Sequence, residues 1–265
     1  MTNHEKQNLN SLPIAIFDSG IGGLSVLREA LKILPSENYI YFADTENVPY
    51  GTKTKEEVKN LVLSAGAFLH KQKIKMLVVA CNTATSSAIS ELRRMYPYPV
   101  IGMEPAVKPA VSINKNNRVL VLATELTLKE QKFRELVDKV DNDKIVDMFP
   151  LPELVMFAEN FVFDNEIIVP ALKAKFAALQ VNNYGTVVLG CTHFPFYRNA
   201  LKKIFPDGTK IIDGNQGTVM HAKNRLEMEG LLNKQKGPGT ITFFHSGKKI
   251  TDEKLVARYL QLARG

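Results

Sequence analysis

Met76-Leu77-Val78-Val79-Ala80-Cys81-Asn82-Thr83 and Thr186-Val187-Val188-Leu189-Gly190-Cys191-Thr192-His193 are the two stretches that decide how this chain folds. Each is a short apolar run, then a small residue, a cysteine and polar side chains, with a helical pattern beyond. A brief, unbroken apolar run bounded in this way reads as a strand buried on both faces, the kind found in parallel sheets. Open α/β sheets bind ligands just outside the carboxyl ends of such strands. Cys81 and Cys191 are the only cysteines in 265 residues, and both fall at that place. The pair suggests one ligand approached by a thiol from each side.

Working outward, apolar runs predict further strands, giving 14–17, 39–43, 76–80, 100–103, 119–123, 186–189, 210–212 and 240–244. A 3.6-residue periodicity predicts helices over 24–34, 55–72, 83–95, 127–140, 164–179, 196–205, 218–232 and 252–263. Thr54 and Glu57 form a capping box at the head of the second helix. The apolar stretch 148–163 is broken by Pro150 and Pro152 and carries no predicted element. Strand and helix alternate almost throughout, which implies the α/β class. The repeated strand–Cys–helix unit implies two similar doubly wound α/β lobes, mostly parallel in their sheets, facing each other across a cleft. Crossings at Glu104-Pro105 and Asp213-Gly214 would give a first lobe of residues 1–103 and 214–265, carrying Cys81. Residues 104–213 would form the second, carrying Cys191. The polar residues 1–12 are expected to be disordered.

Composition narrows the function classes. No apolar stretch reaches the ~18 residues of a membrane span, and the first residues lack the apolar core of a secretory signal. A cytoplasmic protein without a membrane partner is expected, with its thiols reduced. Two inert buried thiols are the plain alternative to a functional pair. The net charge of +7 raises the question of nucleic acid, but the lysines alternate with acids along amphipathic helices and read as solvated faces. Lys71, Lys73 and Lys75 close a helix, where cations suit its dipole. No nucleic-acid partner is expected.

The chemistry-bearing residues cluster at strand ends. Asp18-Ser19-Gly20-Ile21-Gly22-Gly23 opens a helix with a glycine-rich turn suited to an anion, although neither a dinucleotide fingerprint nor a Walker lysine is present. Asp18 fits a turn or cap as well as a group that orients an ammonium or tunes a neighbouring acid. Pro49-Tyr50-Gly51 is a shaped turn that could present N–H groups. A thiol at a strand end before a helix sits in a field that favours thiolate. Asn82, Thr83 and Thr192 supply donors for a carboxylate, and His193 could steady a thiolate or pass a proton. Metal-ligand spacing is lacking. A Cys–His hydrolase would use Cys191 and leave Cys81 idle. Two opposed thiols suit inversion of a carbon that bears a proton, because one face must lose the proton and the other must gain one.

With these residues in hand, the chain resembles the cofactor-independent glutamate racemases of the aspartate/glutamate racemase superfamily. The resemblance runs from Ile14 onward and rests on Asp18 to Gly23, Pro49-Tyr50-Gly51, Ala80-Cys81-Asn82-Thr83-Ala84-Thr85, Gly190-Cys191-Thr192-His193 and Phe243-Phe244-His245-Ser246-Gly247. It implies interconversion of L- and D-glutamate for peptidoglycan synthesis, without pyridoxal phosphate or metal, by a protein that tends to form homodimers. It implies Cys81 and Cys191 as the acid/base residues, the first acting on D-glutamate and the second on L-glutamate. It further implies Asp18 near one thiol, and His193 with Glu159 near the other. Asp18, Ser19, Tyr50, Gly51, Asn82, Thr83, Thr124, Thr127, Thr192 and His193 would hold the substrate. Aspartate as substrate, or a glutamate-binding regulator without turnover, are the alternatives. Ala123-Thr124-Glu125-Leu126-Thr127 departs from the family's Gly-Thr-x-x-Thr, so Glu125 would place a charge near the substrate loop, and Thr127 also fits as an N-cap with Glu130. Such departures point to a divergent branch.

Overall fold

The computed structural model describes residues 9–113 and 117–265. In chain order it begins β1 (Ile14–Asp18), α1 (Leu24–Ile33), β2 (Tyr39–Ala43), α2 (Lys55–Lys71), β3 (Met76–Val79), α3 (Asn82–Met95), β4 (Val100–Gly102) and α4 (Val107–Ile113). There follow β5 (Arg118–Ala123), α5 (Glu125–Lys129), α6 (Gln131–Val140), β6 (Val146–Pro150), α7 (Glu153–Glu159), α8 (Asn165–Lys175) and β7 (Tyr184–Leu189). The chain ends with α9 (Arg198–Lys202), β8 (Lys210–Asp213), α10 (Asn215–Glu229), β9 (Ile241–His245), β10 (Lys248–Lys249) and α11 (Glu253–Arg264).

Two sheets result. The first has the order β10-β9-β2-β1-β3-β4 and is parallel except for the β10–β9 hairpin. The second, β6-β5-β7-β8, is wholly parallel. Every residue of β1, β2 and β3 is buried, which is why these strands read as continuous apolar runs. Each cysteine stands two residues past the end of a strand inside its sheet, Cys81 after β3 and Cys191 after β7. One core is continuous between the two halves, with Ile21, Leu24 and Tyr41 in the same cluster as Leu154, Val155 and Leu189. Separate cores lie under α2 and α3 on one sheet and under α4 and α6 on the other. Where the chain passes between sheets the two crossing segments touch. A Cβ on Gly214 would overlap the Glu104 carbonyl, so only glycine allows that approach.

The structure corrects several expectations. The helix expected over 127–140 breaks at Glu130, whose backbone is extended (φ −65°, ψ 130°). Thr124 is the N-cap of α5, accepting from the Thr127 amide, so Thr127 lies inside the helix and does not begin it. The stretch without a predicted element holds β6 and α7. Pro150 ends β6 at the edge of the sheet, where no N–H is required of it, and Pro152 caps α7. The seven-residue α4 was too short for periodicity to reveal.

Lys75 is not a solvated cation at a helix end. Its ammonium is fully buried 2.5 Å from Glu37 and donates to the Asn10 and Leu231 carbonyls. Burial lowers its pKa while Glu37 pulls the other way. The same contact ties down residues 9–12, which are ordered, while residues 1–8 of the expected disordered segment lie outside the described residues.

Candidate active site

Both thiols line one cavity between the sheets, along with Ser19, Tyr50, Gly51, Asn82, Thr83, Thr124, Thr192 and His193. Its free volume is about 20 Å³, room for little more than a water. Cys81 caps α3, its Sγ accepting from the Ala84 amide at 3.4 Å. The helix field expected to favour thiolate there is outweighed. Burial first, and Asp18 second, push the Cys81 thiol up to about 12 against the pull of that amide. Cys191 Sγ lies 3.6 Å from His193 Nδ1. The two sulfurs therefore have unlike surroundings, a carboxylate near one and an imidazole against the other.

Behind Cys81, Asp18 is wholly buried and accepts from the Thr192 hydroxyl and the Gly20 amide, each at 3.0 Å. Burial raises its pKa from 3.8 to about 6, opposed chiefly by His193. Behind Cys191, His193 Nε2 meets Glu159 Oε1 at 2.6 Å. Burial pulls the His193 pKa down, but its bonds to Cys191 and Glu159 prevail and hold it well above the usual imidazole range. An imidazolium between a sulfur and a carboxylate is the result.

Two amides of the glycine-rich turn are taken up within the chain. The Gly20 amide serves Asp18, and the Ile21 amide donates to Glu159 Oε1 at 2.8 Å. Its glycines permit close approach. A Cβ at Gly20 would overlap Glu159 Oε1, and one at Gly22 would lie 2.5 Å from His193 Nδ1. The first sheet's loop thus packs directly on the Glu159–His193 pair at the end of the second sheet.

Elsewhere around the cavity, three buried hydroxyls form a triangle, two on the wall and one behind it. Thr83 Oγ1 lies 3.0 Å from Thr124 Oγ1 and 3.1 Å from Thr127 Oγ1, and Thr124 is 3.0 Å from Thr127. Asn82 Oδ1 is buried with no hydrogen-bond partner among the described residues, an acceptor free for a ligand. Tyr50 offers the cavity its ring and backbone only, because its hydroxyl donates to Asp44 Oδ2 at 2.6 Å.

The structure thus places ten of the anticipated residues on the cavity wall and three, Asp18, Thr127 and Glu159, behind it. Glu125 is elsewhere, exposed and paired with Lys129 at 3.3 Å, so the charge expected beside the substrate loop is absent from the cavity. His245 is also remote from the cavity lining, bonded to Tyr259. Pro49, Thr52, Pro152, Val155 and Gly190 complete the wall unanticipated. Pro49 and Gly190 stand inside quoted motifs and Thr52 directly follows one, so they could have been found from them, whereas Pro152 and Val155 enter through α7, which no pattern announced. Among the described residues no group of three or more His, Cys, Asp or Glu could hold a metal ion, and no helix is long and apolar enough to cross a membrane.

Residues 23–222 match the family described as Asp/Glu/hydantoin racemase. The chain belongs to this family. It is 54% identical to a glutamate racemase of Halothermothrix orenii over 95% of this chain and 98% of that one. It is 50% identical to glutamate racemase 2 of Bacillus subtilis over 95% of each. Among solved structures, a glutamate racemase isoform from Bacillus anthracis superimposes with a TM-score of 0.82 at 29% identity, covering 94% of both chains. The Francisella tularensis glutamate racemase in complex with D-glutamate gives 0.79 at 28% identity, over 95% of this chain and 94% of that one. The two-lobed racemase fold is therefore the fold of this chain.

Proposed function

We propose that this chain interconverts L- and D-glutamate by two-base proton transfer at Cα, with Cys81 and Cys191 on opposite faces of that carbon. The observation that carries the reading is that the only two thiols, 110 positions apart, line a single cavity. Cys81, protonated by its burial and by Asp18, is poised to give a proton. Cys191 is poised to take one, because the imidazolium held by Glu159 can balance the negative charge left on sulfur. In this state Cys191 deprotonates L-glutamate; after one turnover the roles exchange, and Cys81, now without its proton, acts on D-glutamate.

The walls suit a zwitterionic diacid. The threonine triangle, which reaches the cavity through Thr83 and Thr124, and the backbone of the Tyr50 turn offer donors to carboxylates, while the Thr192 hydroxyl is committed to Asp18, and Asn82 Oδ1 offers an acceptor to the ammonium. Water exclusion by the closed walls strengthens these contacts as negative charge develops at Cα. A cavity of about 20 Å³ is smaller than glutamate, so the halves must part for entry. We take them to divide as residues 1–103 with 214–265, and 104–213, since sheet membership changes at those points. The reading carries with it a cytoplasmic homodimer supplying D-glutamate for peptidoglycan.

Deuterium incorporation at Cα of L-glutamate in heavy water, with no added cofactor, tests the reaction. The intact chain should exchange and racemise, and Cys81→Ser and Cys191→Ser should each lose racemisation by a factor of ~10³ or more, worth about 4 kcal/mol. Full activity in either variant, or preference for aspartate, refutes the proposal.

A further inference from the structure

Lys55 and Glu130 lie outside the cavity wall, yet they join its two sides. Lys55 is the first residue of α2, three positions past the Tyr50–Thr52 turn that lines the cavity from the first sheet. Glu130 is the residue at which the second sheet's helix breaks, directly after α5, which carries Thr127 and is capped by Thr124. Its carboxylate, 5% exposed, meets Lys55 Nζ at 2.5 Å. Among the described residues this is the one ion pair that joins a residue of the first-sheet half to a residue of the second-sheet half. Around it the halves are in close contact. A Cβ on Gly51 would lie 2.7 Å from Thr124 Cβ, and Thr83 reaches Thr124 and Thr127 across the same seam.

A nearly buried carboxylate is costly without a counter-charge, whereas the same group exposed to water needs none. The Lys55–Glu130 contact therefore favours the closed arrangement selectively, since parting the halves rehydrates Glu130, whereas Lys55 is half-exposed already. The break in the helix at Glu130 turns its side chain toward this seam, a place that an unbroken 127–140 helix would not have given it.

We propose that Lys55 and Glu130 are a positioning pair that locks the Tyr50–Thr52 turn against Thr124 and Thr127 when the substrate cavity is closed. The pair touches neither substrate nor thiol and acts by setting how much of the protein has its two walls in register. The inference rests on the racemase reading for its kinetic consequence, and on geometry alone for its effect on closure.

Two readouts separate these. The first is the rate at which Ellman's reagent modifies Cys81 and Cys191, the only thiols, in the absence of substrate. Lys55→Met should raise that rate about tenfold, by depopulating the closed form. Lys55→Arg should restore the intact rate, and Lys55→Met with Glu130→Gln should come most of the way back, because no buried charge is then left unpaired. The second is glutamate racemisation, where Lys55→Met should change kcat/KM by no more than about twofold, because the pair favours closure of the free and the substrate-bound protein alike, while the thermal midpoint falls by a few degrees as the closed state weakens. Thiol reactivity within twofold of the intact chain in Lys55→Met overturns the pair's role whatever the activity. An intact chain that fails to racemise glutamate, with the thiol result as expected, overturns the racemase reading and leaves the closure pair standing.

Discussion

Thr192 donates its hydroxyl to the carboxylate of Asp18 at 3.0 Å, joining the residue after one cavity thiol to the carboxylate that, after burial, raises the other. Asp18 has no exposed surface, and its pKa rises from 3.8 to about 6 because burial outweighs this bond and the nearby His193 charge. The folded protein then holds the Asp18 proton more tightly than the unfolded chain does. Its stabilising contribution is complete below the unfolded value and is lost as pH rises through about 6. The loss amounts to about 3 kcal/mol. In urea titrations from pH 4 to pH 7, Asp18→Asn should lack this downward trend, so its stability relative to the intact protein should improve by about that amount as pH rises. Parallel curves for the two proteins would contradict the burial argument.

His193 supplies the opposite limb. Its pKa stands above the usual range because Cys191 and Glu159 together overcome burial. Glu159→Gln removes one of those supports, so burial should prevail and the imidazolium should lose its proton at lower pH. Racemisation followed by circular dichroism should show kcat/KM reduced on the order of tenfold to a hundredfold, and the alkaline limb shifted downward by about one pH unit or more. An unmoved alkaline limb would mean that the charge on His193 does not govern turnover.

The glycines of the first loop are predicted to matter through steric contact with that same pair. Gly20→Ala would drive a methyl into Glu159 Oε1, forcing the carboxylate off both His193 and the Ile21 amide. Destabilisation of about 1–3 kcal/mol should follow. Racemisation should fall at least as far as in Glu159→Gln. Gly217→Ala, on α10 with open space around it, is the control and should be neutral or stabilising by up to ~1 kcal/mol. Equal loss of activity in both would remove the steric explanation.

How far the sequence foretold this architecture depended on whether the signal was local. The apolar runs at β1, β2, β3 and residues 186–189 of β7 announced buried strands, and the cysteines beyond β3 and β7 announced the site. The Thr54–Glu57 capping box is present as read, because it needs only four consecutive residues. What failed to show depended on distant partners. β6 exists because it pairs with β5, and its own residues Val146–Pro150 are only partly buried. Lys75 looks like a surface cation until Glu37, Asn10 and Leu231 are brought to it by folding. Likewise the Gly20 and Ile21 amides of the glycine loop were free on paper and are occupied by Asp18 and Glu159 in the fold.

Lys75 gives a final test, in which stability and catalysis should separate. Its ammonium is fully buried, and its partners come from the α1–β2 loop, the segment before β1 and the residues after α10. None of them lines the cavity. Lys75→Met would leave Glu37 buried without a counter-charge, which costs about 3–5 kcal/mol. Lys75→Met with Glu37→Gln removes that charge while keeping an acceptor for the Asn233 amide, which Glu37 Oε1 now serves at 2.8 Å. The double variant should therefore recover most of the loss, because replacing both members of a buried pair costs far less than stranding one. Urea midpoints should order the proteins as intact, double and single, while kcat and KM measured well below the transition stay unchanged. A single variant as stable as the intact chain would show that Glu37 is reached by water, and a change in KM at full stability would tie this pair to the substrate site instead.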